Sequence, residues 1–159
     1  MHRITIQRMV PKDTMPTPTL LKMWAKNALN KQSEAIELNI RIVGIQEITL
    51  LNQRYRNKNK PTNVLSFPLS MPEESGEALP TLGDIVICAD IVNQEALLQG
   101  KSRNAHWAHM IVHSTLHLLG YDHETDADAA IMEPEEIHIL AGLGFNDPYQ
   151  LTEKGIENE

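Results

Sequence analysis

Ile36-Glu37-Leu38-Asn39-Ile40-Arg41-Ile42 alternates apolar and polar side chains without a break. That two-residue period sets one face of a strand on a core and turns the other outward. Gly44 closes the run, and the period then changes: Ile45, Ile48, Leu51 and Tyr55 fall on one face of a helix. Upstream, Thr17 supplies a cap and Pro18 a first helical residue. Leu20, Leu21, Trp24, Ala28 and Leu29 then recur at helical spacing to about Lys31. Earlier still, Ile4 and Ile6 alternate with Arg3, Thr5 and Gln7, a short strand that ends before Pro11.

Working outward in the other direction, Lys60-Pro61-Thr62 breaks the second helix, and Val64, Leu65 and Phe67 read as a third strand before Pro68. Residues 70–81, rich in Pro, Ser, Gly and Glu, are expected to lack regular structure, and the apolar run from Asp84 to Ala89 suits a buried strand. Ile91 to Leu98 reads as a helix up to Gly100. Ser102 caps another that runs to about Leu119, and Thr125 with Asp128 resembles a capping arrangement for a last one. The order β α β α β β α α α predicts an α+β fold, a small mixed four-stranded sheet packed with helices. A chain of 159 residues fits one domain, expected over residues 1–145, with a polar, acidic tail over 146–159.

Composition excludes several classes. No run of 18 apolar residues occurs, and the opening MHRITIQRMVPKD carries charges where a signal peptide needs an apolar segment, so the expectation is a soluble cytoplasmic protein without a membrane span. The single cysteine, Cys88, forms no internal disulfide and no multi-thiolate cage, so any metal must rest on histidines or carboxylates. Residues 1–60 carry 11 basic against 4 acidic residues, net +7, and residues 61–159 carry 3 against 17, net −14. The overall −7 argues against coating nucleic acid by bulk charge, while a local basic face can still hold phosphates.

Five of the seven histidines fall in the segment from His106 to His123. His113 and His117 are one helical turn apart, so their rings leave one face and can share an ion at about 2.0–2.1 Å. Another turn of the same helix lies too far along the axis. His109 and His117, eight residues apart, are separated by roughly 12 Å, which sets His109 aside as a ligand. Gly120 can take a positive φ, end the helix and let His123 fold back as the third ligand. Three imidazoles on one zinc ion leave a coordination position open for water, the catalytic arrangement. Zinc lowers the pKa of such a water to about 7 and polarises the bond under attack.

The spacing His113-x-x-x-His117-x-x-Gly120-x-x-His123 also occurs in one class of zinc peptidases, where glutamate follows the first histidine as general base. Here that residue is Ser114, which cannot take a proton from water at neutral pH, so peptide hydrolysis lacks its base. A nuclease is the stronger reading.

His113-Ser-Thr-Leu-His-Leu-Leu-Gly-Tyr-Asp-His123 resembles the signature of the YbeY endoribonucleases, bacterial enzymes of ribosomal-RNA maturation. The segments Leu51 to Pro68, Leu82 to Cys88 and Leu143 to Tyr149 are similar to that family's other recognisable blocks, and the likeness spans most of the chain from about Leu38. The resemblance implies a single-strand-specific, metal-dependent endoribonuclease acting in 3′ maturation of small-subunit rRNA and in ribosome quality control. It also implies that Arg56 is the active-site arginine. A fixed guanidinium can hold phosphate oxygens in pairs and offset developing negative charge, which fits that role. Arg54, Lys58 and Lys60 surround it and make this stretch the candidate surface for an RNA backbone. Ser114 stands where the family usually has glycine and is expected to crowd a packed backbone. Pro134 interrupts a stretch that is helical in relatives and is expected to open a new helix at Glu135.

The remaining candidates have simpler readings. Met132, Trp24 and Trp107 sit at core positions, and Cys88 reads as a small buried hydrophobe. Asp122 and Glu124 could orient an imidazole but are ordinary turn residues, and Glu133, Glu135 and Glu136 read as an exposed acidic face. The rival functions are a non-catalytic assembly factor stapled by zinc, which shares every one of these residues, and the zinc peptidase that Ser114 disfavours.

Overall fold

A computed structural model of the chain describes residues 2–68 and 81–149. The strands are β1 (Arg3–Arg8), β2 (Glu37–Val43), β3 (Val64–Pro68) and β4 (Thr81–Cys88). The helices are α1 (Pro18–Ala28), α2 (Ile45–Arg56), α3 (Ala89–Gln99), α4 (Arg103–Leu118) and α5 (Asp126–Gly142), in the order the sequence predicts. The one unforeseen element is a short 3-10 turn at Lys12–Thr14. The expected loop at 70–81 lies outside the described residues apart from Thr81, which opens β4, and the end of the acidic tail from residue 150 lies outside them too.

Spatial order in the sheet is β1-β2-β4-β3; β1, β2 and β4 are parallel and β3 runs antiparallel at the edge. The alternation of β2 decides both faces. Leu38, Ile40 and Ile42 are buried on one side beside Ile85 and Ile87 of β4. They join Leu21 and Trp24 of α1, Val92 of α3, Trp107 and Ile111 of α4, and Met132 and Leu140 of α5 in the main core. Each such fully buried side chain contributes about 1.5–3 kcal/mol. On the opposite side, Ile48 of α2 packs with Val43, Leu65, Val86 and Cys88 in a second, smaller cluster. The sheet therefore lies between α2 and the other four helices.

α4 is the central helix: eleven of its sixteen residues are buried. Ser102 caps its start, its Oγ accepting from the Ala105 N–H at 3.1 Å. Its end is a Schellman turn, in which the Gly120 N–H donates to the His117 carbonyl at 3.0 Å and the Tyr121 N–H to that of Leu116 at 3.1 Å. Gly120 takes φ +109°, as its place in the sequence predicts.

Two expectations are corrected. Pro134 lies inside a continuous α5 and opens no new helix. It and Ala130, whose carbonyl loses its helical partner, are both exposed, so water can serve the free oxygen. α1 stops at Ala28 instead of reaching Lys31, because Leu29, Asn30 and Gln32 bond three residues back and tighten the chain into turns. Among the described residues no helix is long and apolar enough to cross a membrane.

Candidate active site

The end of α2, the edge strand β3 and the outer face of α4 enclose a groove of about 720 Å³. Arg56, His113, His117 and His123 all line it, together with Tyr55 and Tyr149. The three histidines come from α4 and the turn after Gly120, as the sequence predicts. The ring centroids of His113 and His123 are 5.0 Å apart, and those of His117 and His123 are 6.2 Å apart. His117 and His123 are exposed, and the His113 side chain is 22% exposed. Asp122 and Glu124 lie on the same wall.

Arg56 is the last residue of α2, where Asn57 adopts a left-handed conformation at φ +60° and stops the helix. Asn52, almost fully buried, then folds the following loop back: its Nδ2 donates to the Lys60 carbonyl at 2.8 Å, and its own carbonyl accepts from the Lys58 N–H at 3.3 Å. Neither periodicity nor composition signals this anchor. Arg54, Lys58 and Lys60 are exposed on the same helix end and loop, beyond the residues that line the groove.

Ser114 also faces the groove. Its residue is buried, and its Oγ has no hydrogen-bond partner among the described residues.

Behind the groove lies a network built on Glu136. Sequence reading placed this residue on an exposed acidic face; the structure buries it completely, because α5 presents Met132, Glu136 and Leu140 to α4 at successive turns. Its Oε2 lies 2.5 Å from His113 Nδ1. Its Oε1 accepts from the Tyr149 hydroxyl and lies 3.2 Å from His109 Nε2, which is itself 3.2 Å from the tyrosine oxygen. Burial alone would raise the Glu136 pKa. The hydrogen bonds from His109 and His113, the electrostatic attraction of the His113 ring and the Tyr149 hydroxyl outweigh it and hold the carboxyl at about 2. Tyr149 is pushed above its ordinary value by burial and by the same carboxylate.

Among the described residues, His109, His113 and Glu136 form a group whose donor atoms all lie within 4.8 Å of one another and which could hold a metal ion. The sequence missed this group, since His109 was set aside on helical rise and Glu136 was read as exposed. The signal available was the period of α5, which aligns Glu136 with two apolar residues.

The family model for Endoribonuclease YbeY matches residues 9–144. The chain belongs to the YbeY endoribonuclease family. It is also similar to the solution structure of TM1509 from Thermotoga maritima, with a TM-score of 0.62 and 25% sequence identity over 94% of this chain and 99% of that one. YbeY membership supports an endoribonuclease role in rRNA processing, with RNA as the substrate class.

Proposed function

We propose that the protein is a zinc-dependent, single-strand-specific endoribonuclease of the cytoplasm that acts in 3′ maturation of small-subunit rRNA and in ribosome quality control. The observation that carries this reading is the groove itself, where the guanidinium-bearing Arg56 and the three imidazoles share one lining. The elements that supply them, α2 and the α4 turn, are far apart in sequence.

His113, His117 and His123 fit one zinc ion by donor chemistry. All three are imidazoles with no cysteine nearby, and two of them are exposed to solvent. His113 has its Nδ1 engaged by Glu136, so its Nε2 is the nitrogen left for an ion. When bound, zinc supplies Lewis-acid polarisation of a phosphodiester and a lowered pKa for water.

Arg56 holds the scissile phosphate through paired N–H donors and offsets the negative charge that builds on its oxygens. Arg54, together with Lys58 and Lys60 on the loop whose backbone Asn52 anchors, draws the flanking RNA backbone toward the groove. β3, at the sheet edge with no further partner strand among the described residues, bounds a channel suited to one extended strand. A duplex presents its phosphates across a far wider body.

The test is incubation with single-stranded RNA and with casein, each with and without a chelator. Cleavage of RNA alone, lost on chelation, supports the reading; cleavage of casein identifies a peptidase, and binding without cleavage an assembly factor. End groups identify the nucleophile, since attack by the substrate 2′-hydroxyl leaves a cyclic phosphate and attack by water a linear one.

A further inference from the structure

Glu136 is a buried carboxylate on α5 whose partners are two histidines and a tyrosine, with no guanidinium or ammonium among them. Removing an ion of this size from water costs several kcal/mol, and an apolar residue at this position would pack against α4 without that cost. The partners it does hold all converge on one wall of the RNA groove. Resting on the zinc site proposed above, we infer that Glu136, held in place by Tyr149, is the positioning residue of that site: it fixes His113 as the Nδ1–H tautomer and turns Nε2 toward the ion.

The chemistry is directional. Glu136 Oε2 lies 2.5 Å from His113 Nδ1, so that nitrogen is taken up by the pair and Nε2 is the one left to face an ion. A neutral imidazole protonated at Nδ1 has its lone pair on Nε2, and histidine ligands of metals usually donate their second nitrogen to such an acceptor. His117 and His123 are exposed and have no comparable partner among the described residues, so His113 is the ligand whose orientation is built in before any ion arrives.

Tyr149 completes the device. Its hydroxyl donates to Oε1, the oxygen that His113 does not use, and so fixes the rotation of the carboxylate. His109 Nε2 stands beside both groups and closes the network. Tyr149 lies within the segment that the sequence marks as a tail, so the chain after α5 takes part in the metal centre.

The competing arrangement places the ion among His109, His113 and Glu136. It would use His113 Nδ1, displace the hydrogen bonds that bring those atoms together, and leave His117 and His123 idle.

Zinc affinity, measured by competition with a chromophoric chelator, tests the inference on the wild type and on Glu136→Gln, Tyr149→Phe and His117→Ala. The wild type should bind one zinc ion per chain, Glu136→Gln should bind about 10–100-fold more weakly, and Tyr149→Phe should weaken it in the same direction by less. A folded Glu136→Gln with wild-type affinity overturns the inference, as does a second zinc ion lost in that variant. Wild-type affinity in His117→Ala overturns the underlying zinc site, and the inference with it. Loss in His117→Ala alone overturns only the inference. The metal-free wild type supplies a readout independent of any variant: long-range 15N correlation spectra should show His113 as the Nδ1–H tautomer, and the Nε2–H tautomer overturns the inference.

Discussion

His113 on α4 and Glu136 on α5 meet through Nδ1 and Oε2 at 2.5 Å, and the carboxylate of that pair is completely buried. Replacing Glu136 with Leu keeps an apolar filling but leaves His109, His113 and Tyr149 without their acceptor. A buried donor left without its acceptor costs about 1–3 kcal/mol. Urea unfolding of the metal-free variant should therefore show a lower midpoint with an unchanged slope. A midpoint equal to that of the wild type would mean the network contributes nothing to folding.

Arg56 is exposed at the end of α2, and among the described residues its side chain makes no hydrogen bond that the fold requires. Arg56→Ala should abolish RNA cleavage with zinc content and melting temperature unchanged. Arg56→Lys should recover only a small part of the rate, because an ammonium cannot hold two phosphate oxygens at once. Loss of zinc in the alanine variant would give Arg56 a structural role instead.

Gly120 sits at φ +109°, and a Cβ built there would meet nothing within 4 Å. The cost of Gly120→Ala is therefore one of backbone conformation, about 1–2 kcal/mol, and relief of that strain would shift the turn carrying His123. Both melting temperature and zinc affinity should fall. Lower stability with wild-type zinc affinity would separate the turn from the site.

Gly83 presents the opposite situation, since a Cβ there would lie 2.5 Å from the Phe67 carbonyl oxygen across the β3–β4 pair. Gly83→Ala must push the edge strand away and should destabilise the protein by about 1–3 kcal/mol. Because β3 bounds the groove, RNA affinity should drop in the same variant, as read by equilibrium binding.

Burial lowers the His106 pKa below its ordinary 6.5, with the hydrogen bond to Glu95 opposing the shift. The unfolded chain thus takes up this proton more readily than the folded one. Its stabilising contribution is complete above pH 6.5 and declines as the pH falls through 6.5 toward the folded value. Between about pH 7.5 and about pH 5.5 the wild type should lose more stability in urea than His106→Gln. Equal losses would show that His106 has no such role.

Local patterns made the elements legible. β2 declared itself by unbroken alternation, α4 by its cap and by Gly120, and the three histidines by a spacing that puts them on one helix and the turn after it. The convergence of Arg56 with them was not legible from periodicity, because α2 and α4 meet across the sheet through β3, and the family resemblance alone pointed to it. Glu136 was misread for a physical reason: within Glu133-Pro134-Glu135-Glu136, composition looks solvent-facing, and only the docking of α5 on α4 selects which carboxylate is buried. Pro134 misled in the same way, since its tolerance depends on the exposure of Ala130 and not on the identity of the proline. Asn52 carried no pattern at all, and its clamp on Lys60 exists only once α2 has ended at Asn57.

RNA cleavage should depend on one ion held by three imidazoles. Metal-stripped protein titrated with zinc in the presence of a single-stranded RNA tests it most directly. The rate should start at background, rise in proportion to bound zinc and level off at one ion per chain. Full cleavage by the stripped protein, or a rate that keeps climbing to a second ion, would contradict it.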